Sequence, residues 1–205
     1  MKETTHIESH KLGLLQLWLA ALFHPSQAFD EIKRKPAPQW GLYATLLRAL
    51  FIILIWYLPL YLLGLRPSPP SFLTFVPTEN YYAASIIIFP LYNLAIWLLD
   101  SALVYVILRL GSWKSDIDQI LNIGGIVGLV FQPVISLLDW TGVVLGWHSM
   151  PVVLGLTHLA IDLWVIVWVA KGYNKILGLP IRLGAGLTLL VTIVNVLLAM
   201  LFLRG

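Results

Sequence analysis

YAASIIIFPLYNLAIWLLDSALVYVILRL, Tyr82–Leu110, is the stretch whose reading decides the fold. Its interior carries one charge, Asp100, about two thirds of the way along, and Arg109 stands at its end. A helix rises about 1.5 Å per residue and a bilayer core is about 30 Å thick, so about 20 apolar residues cross it. These 29 residues are more than enough. A carboxylate at that depth is costly unless protonated or paired, so Asp100 reads as a buried packing or functional group.

Composition extends that reading to the whole chain. Of 205 residues, 59% are hydrophobic and 11% charged, and mean hydropathy is +0.86. A soluble domain carries about 25% charged residues, so this chain has too few to clothe a water-facing surface. The expected class is all-α: a polytopic membrane protein with five transmembrane helices preceded by one or two short interfacial helices. The net charge of +3 comes from residues that flank apolar spans and form no patch. Membrane orientation explains them, and nucleic acid is not an expected partner. The chain has no cysteine, which excludes disulfides, thiolate nucleophiles and Cys-ligated zinc.

Working outward, the spans fall at about 39–65, 82–110, 116–140, 152–169 and 183–203. Residues 38–205 form one transmembrane domain, and residues 1–37 form a polar N-terminus with interfacial helices. Leu12–Phe23 is an apolar run of 12 residues, too short to span and suited to an in-plane or re-entrant helix. A signal peptide competes on length, but Glu3, Glu8 and the poor cleavage context LAA oppose it. Next, Pro25 suits a first helical turn, Asp30 and Glu31 precede Lys33, Arg34 and Lys35, and Pro36 stops the helix. A short surface helix with a basic end follows. Anionic lipid would attract Lys33, Arg34 and Lys35 by about 1 kcal/mol each; the other reading is an orientation signal alone.

The loop Arg66–Asn80 contains Pro67, Pro69, Pro70 and Pro77 and is expected to be extended, with Phe72, Leu73 and Phe75 resting on the membrane surface. Before span three, Ser115 and Asp118 resemble a capping box. Within it, Gly124-x-x-x-Gly128 bares one face for helix packing, internally or against another membrane protein or second copy. Trp140 and Trp147 sit where interfacial aromatics belong, and KGYNKILGLPIR, Lys171–Arg182, reads as a basic link. No repeat of 20–50 residues is present.

If the spans alternate, Lys2, Lys11, Lys33, Arg34, Lys35, Arg48, Arg109, Lys114, Lys171, Lys175 and Arg182 lie on or near one side, and Arg66 and Arg204 on the other. Eleven of the 13 basic residues therefore share a side. Basic flanks stay cytoplasmic, so the N-terminus is expected inside and the C-terminus outside a cell membrane.

Five polar groups form the candidate intramembrane network. Asn93 and Asp100 are seven residues apart and share a face of span two, while His158 and Asp162 are four apart on span four. Arg48 lies two turns into span one, near enough to snorkel outward or to neutralise Asp100 or Asp162. His158 is expected to hydrogen-bond Asp162. Asn122, Gln132 and Asn195 add uncharged sites. Two readings remain open, a proton or ion path and a buried network that fixes helix register; a metal site from His158, Asp162 and Asp100 is weaker because only one helix offers ligand spacing. Pro59, Pro90 and Pro133 should kink the outer halves of three spans, opening a vestibule near Asn93, Gln132 and His158 or simply adjusting packing. No nucleophile elbow, zinc-protease or phosphate-loop motif occurs, so no catalytic residues, metal or cofactor are expected.

Three stretches resemble the Yip domain family. LFHPSQAFDEIKRKPAPQWG, Leu22–Gly41, is similar to the segment ahead of that family's first span. GSWKSDIDQILNIGGIVGLVFQP, Gly111–Pro133, looks like its link into span three, and LAIDLWVIVWVAKGYNKILGLPIRLGAGLTLLV, Leu159–Val191, like its last two spans. The resemblance implies five helices, a cytosolic N-terminus and no enzyme activity. Eukaryotic members work in membrane traffic with prenylated Rab GTPases; in its brevity and its lack of their acidic Gly-Pro motif this chain looks more like the prokaryotic members, which points to an inner membrane. The expected function is a non-enzymatic membrane protein that organises lipids or membrane partners. The alternative is a small transporter or channel for ions or protons built on the intramembrane carboxylates.

Overall fold

The computed structural model describes residues 13–34, 38–67, 76–146 and 151–202. Its elements are α1 (Leu14–Phe23), α2 (Pro25–Arg34), α3 (Gln39–Ile52), a π turn (Ile53–Tyr57) that runs on into α4 (Leu58–Leu62), α5 (Tyr81–Leu110), α6 (Ile117–Leu145), α7 (Pro151–Leu177) and α8 (Ile181–Phe202). No strand occurs among the described residues. Five helical stretches are long and apolar enough to cross a membrane: Gln39–Leu62, Thr78–Leu110, Ile117–Leu145, Gly155–Leu177 and Ile181–Leu198. The protein is an all-α, multi-pass membrane protein. Spans three and four run further than 140 and 169, because the polar residues near their ends remain helical. Lys171–Leu177, read as a link, is the last two turns or so of α7.

The architectural centre is α6 rather than the stretch that revealed the fold. About 67% of its apolar window is buried, against 17–28% for the other four spans. Helices α3 and α5 cover one side of it and α7 the other, α8 packs on α7 and reaches α5, and α1 and α2 pack against one flank. The closest approach is Gly41 of α3 against Gly125 of α6: a Cβ built on Gly125 would sit 2.6 Å from the Gly41 Cα. The backbone-to-backbone contact is thus at Gly125, while the expected Gly124/Gly128 face packs against side chains. Gly124 gives room to the Trp97 ring, and Gly128 lets the Arg48 side chain pass, a Cβ there lying 3.1 Å from Nη1. Asn122, fully buried, fixes the same seam by accepting from the Gly41 N–H at 2.8 Å.

Prolines inside spans orphan the carbonyl four residues earlier, and hydrocarbon offers nothing to replace the lost donor. Two tryptophans make the repair. Pro133 frees Leu129 O, which accepts from Trp18 Nε1 of α1 at 3.4 Å. Pro59 frees Ile55 O, which accepts from Trp140 Nε1 at 2.7 Å. The Trp140 ring also stands edge-on to Trp56, centroids 5.5 Å apart. Trp140 is therefore a packing residue of the bundle. The π turn lies just ahead of Pro59, a common accommodation of such a break.

The N-terminal helices are docked. Ala28, Phe29, Glu31 and Ile32 of α2 are buried, with Phe29 against Gly172 and edge-on to Trp168. Lys175 pairs with Asp30 at 2.9 Å, and Gln119 Nε2 reaches Lys33 O. A short surface helix was expected; what forms is half-buried, its polar side facing out. At the start of α6 the cap is Asp116, whose carboxylate accepts from the Asp118 and Gln119 N–H groups, so the Ser115–Asp118 capping box does not form. Phe72, Leu73, Phe75, Trp147 and Lys35 lie outside the described residues.

Candidate functional site

One face of α6 carries the site. Ile120, Gly124, Val127, Gly128, Phe131, Gln132, Ile135 and Asp139 repeat at helical spacing and border a cavity of about 510 Å³. Ile120 and Asp139 are 19 residues apart, about 28 Å of helix and close to the depth of a bilayer core. The helices around α6 supply the remaining polar groups: Thr45 and Arg48 from α3, Asn93, Asp100 and Ser101 from α5, His158 and Asp162 from α7, and Thr188, Thr192 and Asn195 from α8. All five residues of the predicted network line this one space.

Their pairings differ from expectation at three points. Arg48 does not snorkel to a surface; its Nε donates inward to Gln132 Oε1 at 3.1 Å, and Gln132 Nε2 donates onward to Ser136 Oγ at 3.2 Å. Gln132 sits four residues from Ser136 and seven from Asp139, so a single stripe of α6 presents all three. Arg48 makes no ion pair with Asp100 or Asp162 among the described residues. His158 bonds Asp139 of α6, Nε2 to Oδ1 2.9 Å, and not Asp162, four residues away on its own helix. A partner across the helix interface meets the imidazole tip, whereas Asp162 projects into the cavity one turn along.

Asp100 is held by α8: Asn195 Nδ2 donates to Asp100 Oδ2 at 2.8 Å. The other oxygen of each side chain, Asp100 Oδ1 and Asn195 Oδ1, is buried without a partner. Asn93 is buried and donates to Thr45 O at 3.0 Å, tying α5 to α3. Tyr57, Phe89 and Tyr92 close the proline-kinked region beside Asn93, with Tyr57 and Phe89 edge-on at 5.3 Å. The vestibule expected near Asn93, Gln132 and His158 therefore belongs to the same cavity.

Asp139 was missed because it lies near the expected end of span three. Its spacing from Gln132 was the available signal. No group of three His, Asp or Glu among the described residues is placed to hold a metal ion. Lys33 and Arg34 are exposed at the end of α2, remote from the cavity. No family model, curated protein or solved structure matches this chain.

Proposed function

We propose that the protein is a small solute carrier or channel, with the cavity along α6 as its path. A single observation carries this reading: Arg48, Asp100, Asp139, His158 and Asp162, drawn from four helices, border one membrane-depth cavity. A network that only fixed register would spend its polar groups on one another in a dry seam. Here Asp162 and the terminal nitrogens of Arg48 make no hydrogen bond among the described residues. Ionisable groups placed within a bundle around a cavity are the usual apparatus for moving ions or protons. On this reading the protein is not an enzyme.

We place the end holding α2, Arg109, Lys114, Lys171 and Arg182 in the cytoplasm, on the charge bias of the chain. The same bias supports a cell-membrane location. The Yip-like segments around Leu22–Gly41 support a second role in organising lipids or partners. The observation that favours it is the docked hairpin α1–α2, which presents Leu15, Leu19 and Phe23 outward together with Lys33 and Arg34.

The test is flux. Purified protein in vesicles carrying a pH-reporting dye should conduct protons or a driven cation above protein-free vesicles. Asp162→Asn and Asp100→Asn, folded by gel filtration, should each cut that rate by about tenfold or more. Wild-type protein that moves nothing across a broad ion and solute screen overturns the carrier reading.

A further inference from the structure

Two buried acceptors are unfilled on residues that line the cavity. Asp100 Oδ1 and Asn195 Oδ1 have no donor, although their side chains are joined at 2.8 Å through the other oxygen and the amide nitrogen. The remaining unfilled buried side-chain atoms, Ser115 Oγ and Gln119 Oε1, stand at the start of α6 and do not border the cavity. A buried oxygen without a partner is costly, so this pair suits a group that brings N–H or O–H donors or positive charge.

Charge and walls narrow what that is. Three carboxylates, Asp100, Asp139 and Asp162, share the cavity with one guanidinium, Arg48, and one imidazole, His158. His158 is already engaged with Asp139, and Arg48 is held by Gln132. The surplus of carboxylates disfavours an anion. Around Asp100 the walls include Tyr92, Trp97 and Tyr173, and aromatic faces attract cations. A cavity of about 510 Å³ lies in the size range of small-molecule sites.

We propose that the cavity binds a protonated organic amine, its N–H groups donating to Asp100 Oδ1 and Asn195 Oδ1 and its apolar body lying along Tyr92 and Trp97. This deepens the carrier reading by naming the substrate class, and it rests on that reading for transport but not for binding. The amine supplies N–H donors for both orphan oxygens, which a quaternary ammonium does not.

Two probes separate these cases, benzylammonium and benzyltrimethylammonium, which share ring and charge but differ in N–H. Binding is measured by calorimetry on full-length protein in phosphatidylcholine nanodiscs, with empty nanodiscs as reference. Benzylammonium should bind about tenfold tighter than the trimethyl compound, reflecting the hydrogen bonds only it can make. Asp100→Asn should abolish that preference. If it fails to fold, Asn195→Ala should reduce the preference in its place. Equal binding of the two probes, binding of neither, or tighter binding of benzoate overturns the proposal. Flux that depends on Asp162 without amine binding overturns the substrate class and leaves the carrier reading standing. Amine binding without flux upholds the ligand and overturns transport.

Discussion

At the scale of single residues, two tryptophan indoles do what the backbone cannot at Pro59 and Pro133. Trp140→Phe leaves Ile55 O without a donor and should cost about 0.6 kcal/mol, the average for hydrogen bonds between membrane helices, and at most about 1.7 kcal/mol. Pro59→Ala returns an N–H four residues after Ile55, so in that background the same Trp140→Phe change should cost markedly less. A double-mutant cycle by reversible denaturation in mixed micelles checks this; equal costs in both backgrounds would show that the indole matters only as bulk. The glycines separate just as sharply. Gly125→Leu drives a side chain into the backbone of Gly41 and should abolish folded protein in a thermal-stability screen. Gly124→Ala meets Trp97 at 3.7 Å, an ordinary contact, and should change stability by less than about 0.5 kcal/mol.

At the scale of elements, the Asp139–His158 contact is a polar tie between α6 and α7. Asp139→Ala and His158→Ala should show a coupling of about 0.5–3 kcal/mol in a stability cycle, while Asp162→Ala and His158→Ala should couple more weakly. The opposite pattern would restore the intrahelical pair that spacing suggests. That contrast explains what could and could not be read from the chain. Spacing along one helix is legible, so Asn93 with Asp100 on one face, and a bare glycine face on span three, are visible before any coordinates. Which helix faces which is a property of the bundle. Hence Gly125 meets the α3 backbone while Gly128 admits the Arg48 side chain and Gly124 the Trp97 ring, and Asp139 rather than Asp162 meets His158.

At the scale of the whole molecule, the fold class was plain because charge is too scarce to face water. The central position of α6 was not plain. Lipid tails and a protein interior select the same apolar side chains, so an enclosed helix and a lipid-facing helix read alike. Native cysteine is absent, which lets the cavity be mapped directly. A cysteine replacing Thr192, on the cavity wall, should react with a hydrophilic thiol reagent at least about tenfold faster than one replacing Leu190, which is exposed outside it. Equal rates would mean a dry seam. Cysteines at Gly64 and Ser112, exposed beyond opposite ends of α3–α5, test the orientation. The first should label on intact cells and the second only after permeabilisation.

A helix walled in by its neighbours also meets them in order of manufacture. When α6 leaves the ribosome, α3 and α5 are already in place, but α7 and α8 have not been made. Until they arrive, Gln132, Ser136 and Asp139 border an unfinished wall with only half of their eventual surroundings. Nascent chains of this protein should therefore depend on an insertion machinery that shelters α6, and should be most vulnerable to quality-control proteases in the interval before the final hairpin emerges.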